Sequence, residues 1–142
     1  MHTGLKMKPN VQDGVSLYTY SRAEGDFHAE NVRIGDGRIV FDLVSPFGNI
    51  SDIELGVPVS VNIENGIAAI ALAQIAGASA EEIRKGMASF GGVDRRFDFH
   101  VKTDRMVYVS DYAHHPEEIR HCLESMKELY SGRRIKVIFQ PH

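Results

Sequence analysis

The chain holds a single cysteine, Cys122, and no tryptophan. One thiol excludes a disulfide framework and a multi-thiolate zinc site, and it fits a reducing compartment, so the cytoplasm is the expected location. Excess positive charge is also missing: 16 Lys and Arg face 19 Asp and Glu, and the cations are scattered apart from Arg95-Arg96 and Arg133-Arg134. That balance argues against nucleic acid as a partner. No apolar run approaches the roughly 18 to 20 residues that span a bilayer, and residues 1 to 8 lack the apolar core of a signal peptide. Neither a membrane partner nor export is expected. The string Gly-x-x-x-x-Gly-Lys-Ser/Thr is absent too, so a nucleoside triphosphate bound here needs a phosphate loop from outside this chain.

What is present is the composition of a soluble globular protein, 43% hydrophobic and 25% charged over 142 residues, enough for one domain or for pieces of two. Residues 1 to about 14 show little apolar patterning and are expected to fray. Val15 to Tyr20 alternates in strand fashion. Phe27 to Ile34 and Arg38 to Val44 are β-rich runs joined by Gly35-Asp36-Gly37, a three-residue connection suited to an antiparallel hairpin, and Ile50 to Leu55 is a further strand. The period then changes. From Asn62 to Ala76, Ile63, Ile67, Ile70, Ala71 and Ile75 recur at helical spacing, which predicts a buried helix ended by Gly77. Ser79 with Glu82 three residues on is a capping box, and the helix it opens stops at Gly91-Gly92.

Beyond that break the fold class reads as α/β. Short strands are expected at Phe97 to Lys102 and Met106 to Ser110. A helix starts at Pro116 and carries Ile119, Leu123, Met126 and Tyr130 on one face, and Ile135 to Phe139 forms a last strand. Strand, helix and strand make one βαβ unit with a parallel pair, the opening of an α/β domain. The domain boundary falls at Gly91-Gly92, dividing the chain into 1–92 and 93–142.

Polar chemistry concentrates between Gly91 and Pro116. Arg95 and Arg96 can clamp phosphate oxygens with their fixed forks of donors; a solvated arginine pair at a domain edge is the other reading. Asp111, at the end of a strand, can accept from a ribose, and Tyr112 can lie on an adenine ring; a turn acid beside a half-buried aromatic is the bland alternative. His114 and His115 can meet a phosphate at the helix start, where free backbone N–H groups and the dipole favour anions, or they can simply cap it. Adjacent histidines cannot share the helix face that a paired metal site requires, and no metal ligand is assigned.

Together, GGVDRRF, DYAHHPEEI and IKVIFQPH resemble the Mur ligases of bacterial cell-wall synthesis, and Asn62 to Ala69 resembles that family's His-Asn-x-x-Asn-Ala helix start. FHAENVRIGDGRIVFDL is similar to its preceding sheet segment. The resemblance covers nearly everything from Val15 onward. It implies an α/β enzyme of three domains, with 1–92 as the end of the central ATP-binding domain and 93–142 as the start of the Rossmann-like C-terminal one. It implies ATP and magnesium as cofactors, with the magnesium ligands mostly outside this chain, UDP-N-acetylmuramate and L-alanine as substrates, and no activity for the segment alone. Carried over by position, Asn62, Asn65 and Tyr112 meet the adenine, Arg96 and less firmly Arg95 the phosphates, Asp111 the ribose, and His114 and His115 the terminal phosphate. Two positions depart from the family pattern: Val61 stands where it has His, and Val59 where Gly is common. A family member that joins a preformed tripeptide to the same sugar is a rival, disfavoured by Phe139-Gln140-Pro141-His142, where it resembles Glu-Pro-Arg. A non-catalytic nucleotide-binding scaffold and a homodimer pairing across an open sheet edge also stay open.

Overall fold

The computed structural model describes residues 1–7 and 9–140. Lys8 and the Pro141-His142 end of the FQPH string lie outside the described residues. The larger sheet has three antiparallel strands in sequential order, β1 (His28–Gly35), β2 (Arg38–Val44) and β3 (Ile50–Glu54). Alternation along β2 sends Ile39, Phe41 and Leu43 inward, all fully buried, and leaves Arg38 exposed on the other face. That outer face is a charge ladder, with Arg33 bonded to Asp52 at 2.8 Å and Arg38 forked onto Glu54 at 2.9 and 2.5 Å. Exposed pairs of this kind contribute only about 0.2–1 kcal/mol each, so the fold is held by the inner face.

The turn between β1 and β2 is tighter than the three-residue connection expected. Gly35 pairs with Arg38, leaving a two-residue loop, Asp36-Gly37, with φ of 51° and 71°. Positive φ at both positions makes the hairpin turn whose twist matches the flanking strands, and Asp-Gly is among its favoured pairs.

α1 (Val61–Ile75) lays Ile63, Ile67 and Ile70 on the sheet. It is buried on one face only, with Leu72 70% and Ile75 50% exposed, because the chain offers it a single layer to pack on. α2 (Ala80–Ser89) opens with the expected capping box: Ser79 Oγ accepts from the Glu82 N–H, and the Glu82 carboxylate accepts from the Ser79 N–H. The Gly56 N–H donates to the Met87 carbonyl at 3.0 Å and ties this helix to the loop after β3.

Fraying at the N-terminus is not what the structure shows for its first residues. The Met1 ammonium donates to the Tyr18 carbonyl at 2.5 Å, the Tyr20 N–H donates to the Met1 carbonyl, and the His2 ring stands edge-on to Tyr20. A chain end is held when its backbone groups find partners, and a polar sequence does not reveal those partners in advance. Val15 to Tyr20 is extended around this contact but contributes only a bridge at Tyr20, and Val15 and Leu17 face solvent.

β4 (Asp98–Lys102) and β5 (Val107–Ser110) form an antiparallel hairpin, followed by α3 (Pro116–Leu129). The strand and helix of the expected βαβ unit are present, but residues 135–139 form no strand, and Ile138 is fully exposed. A strand needs a partner's backbone, and a two-stranded hairpin with one helix gives too little apolar surface to hold another. Phe97, Leu129 and Tyr130 nevertheless join the same core as the larger sheet.

Candidate nucleotide-facing site

The segment from Gly91 to Pro116 is folded by its own backbone. Arg95 takes φ 62° and Phe97 φ 48°, left-handed conformations that cost of order 1 kcal/mol each in non-glycine residues. Surrounding contacts hold them. Phe97 is 4% exposed, its N–H donates to Asp111 Oδ2 at 2.8 Å, and the Arg95 carbonyl accepts from the Tyr112 N–H at 2.7 Å. Asp111 Oδ1 meanwhile accepts from the Ala113 N–H at 2.7 Å. The Asp111 carboxylate thus staples the entry of β4 to the exit of β5, with a lone pair left on each oxygen for a further donor.

Both guanidinium groups of Arg95-Arg96 reach solvent and make no ion pair among the described residues. Tyr112 is 56% exposed, and its ring meets His114 edge-on at 5.5 Å. One expectation needs correcting. The N–H groups at the start of α3 are not free: those of His114 and His115 both point at Glu118 Oε2 at 3.3 Å, and that of Glu117 is directed at His115 Nδ1. His115 is therefore the N-cap, and these hydrogen bonds hold the Glu118 carboxyl below the usual carboxylate range. An anion arriving here must displace Glu118 or bind beside it.

Asn62 and Asn65 lie in the first turns of α1. The Asn62 side chain donates to the Val57 carbonyl at 3.1 Å and accepts from Asn65 Nδ2 at 3.2 Å, so it closes the loop before the helix and positions its neighbour. Val61 is exposed and Val59 is buried. The contacts therefore gather Arg95, Asp111, Tyr112, His114 and His115 along one connected stretch, while the asparagines form a separate pair. The bond running from the start of α1 to α3 is instead Ser60 Oγ to Glu128 Oε2 at 2.6 Å. Two open hollows of about 540 and 570 Å³ are lined by other residues, the second by Lys102, Tyr130 and Arg133 among them. Ser60, Lys102 and Glu128 gave no signal in the sequence, since isolated polar residues on helix or strand ends are ordinary.

A sheet carrying helices, and a loop leading through a strand-end Asp into a helix start, define an α/β class. Comparison with known proteins narrows this. Residues 95–142 match the family model described as "Mur ligase, glutamate ligase domain". The chain is 62% identical over 139 residues to the UDP-N-acetylmuramate--L-alanine ligase of Phocaeicola vulgatus, covering 98% of this chain and 30% of that protein. It is 45% identical over 141 residues to the enzyme of the same name from Porphyromonas gingivalis, covering 98% of this chain and 31% of that one. Among solved structures it resembles the UDP-N-acetylmuramate-alanine ligase of Thermotoga maritima with a TM-score of 0.78 and 29% identity, over 88% of this chain and 30% of that one. MurF from Acinetobacter baumannii follows the same path with a TM-score of 0.66 and 25% identity, over 78% of this chain and 24% of that one. Over nearly its whole length the chain is therefore similar to Mur ligases, and residues 95–142 carry the match to that family's model. It spans about 30% of the length of the relatives it matches.

Proposed function

We propose that this chain supplies the nucleotide-facing part of an ATP-dependent ligase that joins L-alanine to UDP-N-acetylmuramate in peptidoglycan precursor synthesis. The observation that carries the reading is the 62% identity across 139 residues to a ligase of that name. We take residues 1–92 as the end of the central ATP-binding domain and 93–142 as the start of the C-terminal domain. The start of the family match at Arg95 and the left-handed Gly92 (φ 89°) support that division. A cytoplasmic setting follows from the precursor chemistry, and the described helices include none long and apolar enough to cross a membrane.

When bound, ATP supplies the phosphoryl group that turns the lactyl carboxylate of the sugar into an acyl phosphate as ADP leaves; the alanine amine then attacks the acyl carbon, expelling phosphate and losing a proton. The residues present fit the nucleotide. Arg95 and Arg96 offer unpaired guanidinium groups to phosphate oxygens, which they hold without deprotonating. Asp111, fixed by two backbone N–H groups, presents its remaining lone pairs to ribose hydroxyls, and the exposed Tyr112 ring gives the base a face. Asn65, oriented by Asn62, has a carboxamide oxygen available for the adenine amine. His114 and His115 stand at the head of α3 toward the terminal phosphate, His115 through its Nε2 because Nδ1 serves the cap. No group of three His, Cys, Asp or Glu suited to a cation occurs among the described residues.

The test is made in the complete polypeptide. Arg96→Ala should raise KM for ATP roughly tenfold, with KM for the UDP-sugar changed less than about twofold. Equal changes in both would remove Arg96 from the nucleotide site.

A further inference from the structure

The Asp36-Gly37 turn reaches across to the far end of α3. The Gly37 N–H donates to the Leu129 carbonyl at 3.1 Å, one of the last-turn acceptors that a helix leaves without an internal donor. From the other side the Lys102 ammonium, at the end of β4, donates to the Gly37 carbonyl at 3.1 Å. Tyr130 lies directly beneath: it is 8% exposed, and a Cβ placed on Gly37 would come 2.7 Å from its Oη and 3.1 Å from two ring carbons. That hydroxyl is buried with no hydrogen-bond partner among the described residues, so the ring and not the hydroxyl seats the turn. One residue before Leu129, Glu128 takes the Ser60 hydroxyl, and the first helix forgoes a side-chain cap at Ser60. A local bond has been exchanged for a long-range one.

We infer that the Asp36-Gly37 turn is a latch that sets the tilt of α3, and through it the position of His114 and His115 at the opposite end of that helix. The inference rests on the domain division proposed above, but not on any residue's role toward ATP. α3 has 14 residues and so spans about 21 Å, which turns a tilt of about 10° at Leu129 into a displacement of about 3.6 Å at His115. Displacements of that size decide whether phosphate contacts form. The latch is a property of the turn's shape: the left-handed Gly37 lets backbone and aromatic ring meet with no side chain between them.

The competing account is that Leu129 and Tyr130 are simply part of one indivisible core. Residue-resolved hydrogen exchange on the 142-residue chain, with alkylation of the sole cysteine Cys122 on α3 as a second readout, separates the two. Gly37→Ala should speed exchange in α3 and alkylation of Cys122 roughly tenfold, while the amides of Ile39, Phe41 and Leu43 keep their protection. Adding Tyr130→Phe, which removes the nearest clashing atom, should restore much of it. Gly48→Ala, also at positive φ (114°) but with nothing within 4 Å, should leave α3 unchanged. Lys102→Met should loosen α3 more weakly than Gly37→Ala. Loss of protection in α3 and the larger sheet together, or identical behaviour of the Gly37 and Gly48 variants, overturns the latch. None of these readouts involves nucleotide, so they stand apart from the outcome of the Arg96 experiment.

Discussion

Residues 27–92 and 93–140 were built from similar residue types but end in different states. The first region closes a core in which Phe27, Ile39, Phe41, Leu43, Ile53, Ile63 and Ile67 are all fully buried. The second buries little beyond Phe97, Leu129 and Tyr130, and it leaves Val137, Ile138 and Phe139 more than half exposed. The difference lies in partners, not in hydrophobicity. A three-stranded sheet with two helices can bury its apolar face, whereas a hairpin with one helix must borrow a surface, here the underside of the first hairpin through Leu129 and Tyr130.

The sharpest test of the contrast is truncation in each region. Phe41→Ala should cost about 3–5 kcal/mol in denaturant unfolding, while Phe139→Ala should stay within about 0.5 kcal/mol. Equal costs would mean that the end of the chain is buried in solution. Next comes Asp111→Asn, which sets an amide NH₂ against the N–H of Phe97 or Ala113 and should lower stability by about 1 kcal/mol. Exchange should quicken first in β4 and β5; uniform quickening would merge the two regions.

Acid should act on both regions, since Glu117 and Glu118 at the head of α3 are held below the usual carboxylate range by Arg120 and by the His115 and His114 N–H groups, as are three carboxyls at and before the larger sheet. Asp26 is held below the usual carboxylate range by the Thr19 backbone N–H and hydroxyl, Asp42 by the Asp52 N–H and the Asn31 amide, and Glu54 by Arg38. A carboxyl whose folded pKa is depressed contributes stability above its unfolded pKa and loses it as pH falls through the folded value. The thermal midpoint should therefore be flat above about pH 5 and fall below about pH 4, with no acid-side gain. A midpoint rising on acidification would contradict these partners. The smallest effect concerns Cys122, whose thiol burial raises its pKa to about 11. At pH 8 the folded chain should alkylate more slowly than the denatured chain. Equal rates would mean that α3 is already loose.

Much of this was legible beforehand where physics is local. Ser79 with Glu82 announced a cap, Pro116 announced a helix start, and the β-rich run from Arg38 to Val44 announced a strand. DYAHHP and its companion strings located the candidate site, and the structure joined Arg95, Asp111 and Tyr112 through the backbone. His115, open between phosphate contact and cap, serves as the cap through Nδ1, with Nε2 left for the proposed phosphate contact.

What the sequence by itself determined, then, is the periodicity, the caps and the family resemblance, because each depends on residues a few positions apart or on strings of fixed order. Only the tertiary structure decided that Met1 lies along Tyr18 and Tyr20, that residues 135–139 stay unpaired, and that Gly37 sits on Tyr130 with Lys102 closing over it. Those outcomes depend on whether distant surfaces exist to receive a backbone group or a ring. No local pattern encodes that.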